Sequence, residues 1–386
     1  MQLHTVKKDE SLYGIARKYA VPVTKILADN DLLGDRLTTG DELIIIKPTK
    51  TVTVKGGDTL DSLSKRYGVR KSSVIRDNPY LLGRDKLRPG QILTVKQDDV
   101  KIGVGSALGY AEKGCRRDKL AKSLPYITYL TISAAAIRND TVIPTFSASD
   151  IKASADECGK VVILGIKDES DGAFLSSKAR YMRIINDATE LALRQKYMGI
   201  SISAERAASL YPETYCEFLL EIRKRLIGCN MILFTEIFTG TPRDASEICD
   251  GGVLESELIP IDEEKEYIKD FSDKAESSKV FIKLKSGSAF SDGFISADEI
   301  KELCYRSGKE LITSDDLISH FEYVRYKTGK GEEMCLSFPS LRYIKAKLEA
   351  LCELGFMGMA CDIDSVPISN LTMFNSLFAR ADYSLT

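Results

Sequence analysis

The stretch YMGISISAER, Tyr197 to Arg206, decides the reading of the larger part of the chain. Its residues alternate: Ile200, Ile202 and Ala204 fall on one face of a strand, and Ser201, Ser203 and Glu205 on the other. Comparable apolar runs recur at Ile102 to Ala107, Ile127 to Ala134, Val161 to Ile166, Met231 to Phe238, Gly252 to Leu258, Val280 to Leu284 and Phe356 to Cys361. Amphipathic helical patterns separate most of them, as at Ser177 to Lys196, Pro212 to Ile227 and Ser340 to Leu354. Eight strand-like runs alternating with helices predict an α/β fold, a (β/α)8 TIM barrel rather than an open sheet, over 101–386. The stretch 285–335 is the least regular. Chemistry in such a barrel sits at the C-terminal ends of the strands. If the isoleucines face the helices, Glu205 projects into the mouth.

Composition narrows the partners. The 386 residues are 44% hydrophobic and 28% charged, enough for a sizeable core. The net charge of -2, with both signs dispersed, gives no sign of a nucleic-acid phosphate surface, so no nucleic acid is expected. No run of about 18 apolar residues offers a membrane span. The opening MQLHTVKKDESLYG has no apolar core of a secretory signal. Nine scattered cysteines without a C-x-x-C pair read as reduced thiols of a protein made in the cytoplasm. With only His4 and His320, the latter read as helix surface, no metal site and no cofactor is expected.

The first hundred residues repeat themselves. Thr5 to Leu12 (TVKKDESL) matches Thr53 to Leu60 (TVKGGDTL), Arg17 to Val21 matches Lys65 to Val69, and Asp29-Asn30 matches Asp77-Asn78. Each copy reads strand, helix, helix, strand, with Ser11 and Thr59 as helix N-caps and Gly40 and Gly90 turning into the closing strands. Ile46 to Lys50 reads as a short linker, and 97–99 as a join with little slack.

On Thr53 to Leu60, Asn78-Pro79 and Leu87 to Gln91, the repeats resemble LysM modules. The resemblance implies two small βααβ modules, 1–47 and 51–96, ahead of the barrel at 101–386. It also implies a shallow groove for N-acetylglucosamine-containing glycans between two loops. In the second copy these are Gly57, Asp58, Thr59 and Leu60 with Asn78, Pro79, Tyr80 and Leu81. In the first they are Asp9, Glu10, Ser11 and Leu12 with Asn30, Asp31, Leu32 and Leu33, where Lys8-Asp9 replaces a glycine pair and is expected to alter the loop.

The strand at 199–205, the helix-like Tyr211 to Leu219 and the domain order resemble family 18 glycoside hydrolases, closest to spore peptidoglycan (cortex-lytic) hydrolases. That family's Asp-x-x-Asp-x-Asp-x-Glu motif falls here on Met198, Ser201, Ser203 and Glu205, so only the glutamate is kept. The resemblance makes Glu205 the candidate acid and the substrate's acetamido oxygen the nucleophile. An uncharged Ser203 removes an electrostatic partner, a loss of about 3–4 kcal/mol or 10²–10³ in rate. The family's tyrosine motif on the sixth strand is replaced by Gly252 to Leu258, and its eighth-strand tryptophan has no counterpart, since the chain has no Trp.

The strand ends carry other charges: Glu236, Glu255 and Glu257, Lys283 and Lys285, Asp362 and Asp364, and Lys167-Asp168. Three readings stay open. The charges form an ion-pair network in which a lysine of strand seven ties down Glu205. They form a remodelled site with Glu205 as acid and Glu255 or Glu257 as second carboxylate. Or the barrel is an active hydrolase. The resemblance as a whole implies a peptidoglycan- or chito-oligosaccharide-binding protein of the spore coat or cortex with a degenerate barrel. Its alternatives are an N-acetylglucosaminidase, or a structural component touching spore-coat proteins.

Overall fold

The computed structural model describes residues 1–386 apart from 82–86, 99, 239–240, 242–243, 256–265, 267–268, 270–276, 291–292, 314–320, 328–332 and 381–386. The first repeat folds as β1 (Gln2–Thr5), α1 (Leu12–Tyr19), α2 (Val23–Asn30) and β2 (Glu42–Ile45). The second folds as β3 (Pro48–Thr53), α3 (Leu60–Tyr67), α4 (Lys71–Arg76), a 3-10 turn at Pro79–Leu81, and β4 (Ile92–Gln97). In each, the outer strands pair antiparallel, β1 with β2 and β3 with β4. The hydroxyl of Ser11 accepts the Gly14 N–H, and Thr59 and Ser62 form a reciprocal capping box.

Two expectations change here. Pro48 to Lys50 is not linker: it pairs with β4, Pro48 opposite Gln97, so the modules are joined with almost no free chain. The Lys8-Asp9 loop keeps the shape of its counterpart. Asp9 takes the positive φ of 64° where Gly57 takes 85°, and aspartate tolerates the left-handed region better than most residues.

The strands β5 (Gly103–Ala111), β6 (Tyr129–Arg138), β7 (Thr141–Pro144), β8 (Val161–Asp168), β9 (Gly199–Ser203), β10 (Ile232–Ile237), β11 (Gly251–Glu255), β12 (Val280–Lys283) and β18 (Gly358–Asp362) follow. All but β7 pair in parallel as β5-β6-β8-β9-β10-β11-β12-β18 and back to β5, a closed eight-stranded barrel. Each of the eight apolar runs overlaps one of these strands, the sixth over Gly252 to Glu255, with 256–258 outside the described residues. The helices Lys178–Arg194, Pro212–Ile227 and Leu341–Glu353 lie where the periodicity placed them. Ile200 and Ile202 pack in the outer core with the helices, while Phe234, Phe281 and Tyr129 fill the barrel interior. Ser201 and Ser203 therefore face inward. The irregular stretch is an insertion between β12 and β18. It contains β13 (Gly287–Phe290), β14 (Gly293–Ser296), the helix Ala297–Ser307, and β15 (Ile312–Thr313), β16 (Phe321–Lys327) and β17 (Glu333–Pro339).

The first module is built into this frame. Along β2, Leu43 and Ile45 pack in the module's own core, whereas Ile44 joins the barrel's outer core with Ile46 just beyond. Around that seam Glu42 pairs with Arg342 at 2.8 Å, Asp41 with Lys301 at 2.6 Å and Asp31 with Lys122 at 2.6 Å. Burial pushes the Glu42 carboxyl up against the pull of Arg342. Gly40, at φ 89°, is required: a Cβ there would lie 2.0 Å from the Leu311 carbonyl oxygen of the insertion.

Candidate functional site

In both modules the loop side chains are committed to holding the backbone. Glu10 Oε2 accepts the Lys7 N–H at 2.8 Å, and Asp58 Oδ2 accepts the Lys55 N–H at 2.8 Å. These backbone donors are the main reason both carboxyls titrate below their usual range. Glu10 also meets His4 at 2.8 Å, and Asp58 meets Arg66 at 2.9 Å. Asn78 donates to the Val74 and Thr94 carbonyls and accepts the Thr94 N–H, tying α4 to β4. Asn30 does the same between Ile26 and Ile44. Leu12, Leu60 and Leu81 are buried, Leu33 is exposed, and the half-exposed Tyr80 donates its hydroxyl to the Ile92 carbonyl at 2.6 Å. The loops thus present backbone and a few apolar side chains over a fixed frame.

In the barrel, a cavity of about 350 Å³ opens at the C-terminal ends of the strands, with Tyr110, Ser203, Glu205, Glu236 and Lys283 in its lining. Glu205 starts the short helix Glu205–Leu210 and is exposed. The expected tie to strand seven is absent: among the described residues neither Lys283 nor Lys285 pairs with Glu205. Lys283 pairs instead with Asp362 at 3.1 Å and lies 4.8 Å from the centre of the Tyr110 ring. Lys285 pairs with Glu255 at 3.8 Å. The separation follows from position, because Lys283 is level with Glu255 and Ala360 in the barrel register. Glu257 lies outside the described residues, as does His320. Asp168 is used by its own turn, accepting the Ser170 and Gly172 N–H groups at 2.8 Å.

The motif position itself is occupied in a way the sequence reading missed. Ser203 Oγ donates to Glu236 Oε2 at 2.5 Å. Glu236 is half-buried; burial pushes its carboxyl up, and the Ser203 hydrogen bond and Lys283 pull it down. The contact follows from register, which the sequence does not give: β9 and β10 run parallel with Ser201 opposite Phe234 and Ile202 opposite Thr235, so the next pair is Ser203 and Glu236. Glu205 is therefore an exposed carboxylate at the mouth and Glu236 a half-buried one.

Residues 4–45 and 52–96 match the LysM domain family. Two curated relatives from Bacillus subtilis align with about a quarter of the chain. They are the "Probable peptidoglycan endopeptidase LytE" (35% identical over 103 residues) and the cell wall-binding protein YocH (30% over 96). The matches cover 24% of this chain in each case, and 30% and 33% of those relatives, so the chain spans about a third of their length. Among solved structures, the Bacillus megaterium spore cortex-lytic enzyme SleL is similar over 99% of both chains, with a TM-score of 0.75 and 21% identity. A chitinase from Chromobacterium violaceum is similar over 71% of this chain and 98% of its own, with a TM-score of 0.63 and 11% identity. The chain thus carries two LysM domains in front of a (β/α)8 barrel of the chitinase fold, and its fold is similar to that of SleL over nearly the whole length.

Proposed function

We propose that this protein binds peptidoglycan, or the N-acetylglucosamine glycan within it, through its LysM modules. On this reading the barrel has lost glycosidase turnover and acts as a spore-associated scaffold. The observation that carries the reading is the pairing at the mouth. In a family 18-type site, the residue two before the acid must hold a fixed negative charge beside the acetamido group as positive charge develops. Here that place holds Ser203, whose hydroxyl is spent on Glu236. Lys283, Asp362, Lys285 and Glu255 neutralise one another above it. The module loops, by contrast, keep matched caps and turns in both copies.

Sedimentation with purified spore and vegetative peptidoglycan tests the reading. The wild-type chain is expected to pellet, and a chain with Leu33→Ala and Tyr80→Ala to remain largely in solution. Equal pelleting of both would show that the loops are not the binding surface. Glu205 supports a second reading, an N-acetylglucosaminidase of spore cortex fragments, because it is exposed on the cavity and free of the lysines of strand seven.

A further inference from the structure

We propose that the cleft between the two LysM modules is itself a binding site. One linear, uncharged glycan strand would lie through it, from the second loop of the first module to the second loop of the second. This rests on the glycan-binding reading above and goes beyond it, since that reading gives each module its own groove.

The cleft is about 1400 Å³. One wall is α2, with Thr24 and Ala28, continuing into Asp31 and Leu32; the other is Pro79 to Leu81 and Leu87 to Ile92. Loop residues assigned to two separate grooves thus share one cavity. Its walls carry apolar surface in water: Ile92 is 61% exposed and Tyr80 41%. The Tyr80 hydroxyl is fixed by the Ile92 carbonyl and Asn78, so the ring is held in one place. Flat apolar surface with a few fixed polar groups suits a pyranose ring, which has an apolar face and a hydroxyl edge. Charge argues for a neutral polymer. The Lys122 ammonium at the cleft is paired with Asp31 at 2.6 Å, which leaves Arg88 as the single net charge of the lining, too little to select a polyanion. The width is fixed as well. β2 ends at Ile45 and β3 begins at Pro48, and α2 packs on the helix Ile368–Leu377. A strand crossing the cleft engages both modules without ordering a linker, which is where bridging gains affinity.

The test is calorimetric titration of the full chain with short (dimer, trimer) and long (hexamer, octamer) chito-oligosaccharides. Two variants keep both loops intact: Thr24→Arg with Ala28→Arg, which fills the cleft, and Ile92→Ser, which strips its wall. We expect one long oligosaccharide per chain, bound about 10-fold or more tighter than a short one. The filled variant should bring long ligands down to short-ligand affinity, Ile92→Ser should weaken them several-fold, and short-ligand binding should not move. Long-ligand affinity unchanged in both variants, or two long ligands per chain, would overturn the proposal while leaving module binding intact. A cleft made for a peptide or a second copy of the chain would give that same unchanged result. A wild-type chain that binds no oligosaccharide of any length would overturn this proposal and the binding function together.

Discussion

The two LysM modules and the barrel mouth differ in what substitution does to them. The modules diverge in sequence yet keep geometry: Asp9 stands for Gly57 and Glu10 for Asp58, with the same turn and the same carboxylate-to-backbone bond. Their surface is defined by backbone, so many side chains can hold it. The mouth keeps its barrel but carries Ser203 bonded to Glu236 where the resemblance leads one to expect a fixed charge, and on the proposed reading a site defined by charge at fixed points does not survive that change.

The largest effect should break the modules' side of this comparison. Asn78→Ala leaves two buried carbonyls and one N–H without a partner, which costs about 3 kcal/mol or more. Urea unfolding would measure it, and a cost below about 1 kcal/mol would mean the frame does not depend on that bridge. Lys283→Met tests the mouth. It strips the cation from Asp362 beside Glu236 and Glu255, and because the pair is partly exposed the expected loss is about 1–2 kcal/mol.

The junction between modules and barrel should respond to pH. Asp29 is bound by Lys25 at 2.6 Å, yet complete burial outweighs that attraction and raises its carboxyl to about 6. A carboxyl raised above its unfolded value of about 3.9 favours the folded state while protonated. Its contribution is full below pH 4 and is lost as pH rises through about 6. Stability followed by denaturant midpoint should therefore decline across that window, and a flat profile would contradict the assignment. The smallest effect is expected from Ser203→Ala, about 1 kcal/mol, with the Glu236 carboxyl moving further up because a bond that lowers it is gone. Carboxyl-carbon NMR titration would follow that shift.

Much of this was legible in the chain, and the reasons for the rest are physical. Barrel strands show in sequence because each buries one face against helices, so runs such as Val161 to Ile166 stand out. The repeat exposed both modules. Pro48 to Lys50 misled because an exposed edge strand has little apolar signal; its residues are intermediate to exposed. The insertion after β12 resisted because it mixes antiparallel strands of unequal length with a helix, so no one period runs through it. Ser203 with Glu236 is a contact between neighbouring strands, and only register reveals it. Glu205 lines the mouth cavity, but its freedom from Lys283 depended on how far along each strand the two side chains stand.

The most direct test of the central claim is release of reducing ends from spore-cortex peptidoglycan and chito-oligosaccharides by the wild-type chain and by Glu205→Gln. A scaffold bearing glycan-binding modules predicts no release above buffer from either, with both proteins still pelleting with peptidoglycan. Turnover by the wild type that disappears in Glu205→Gln would contradict it, and would mean that Glu236 or its neighbours supply the charge Ser203 lacks.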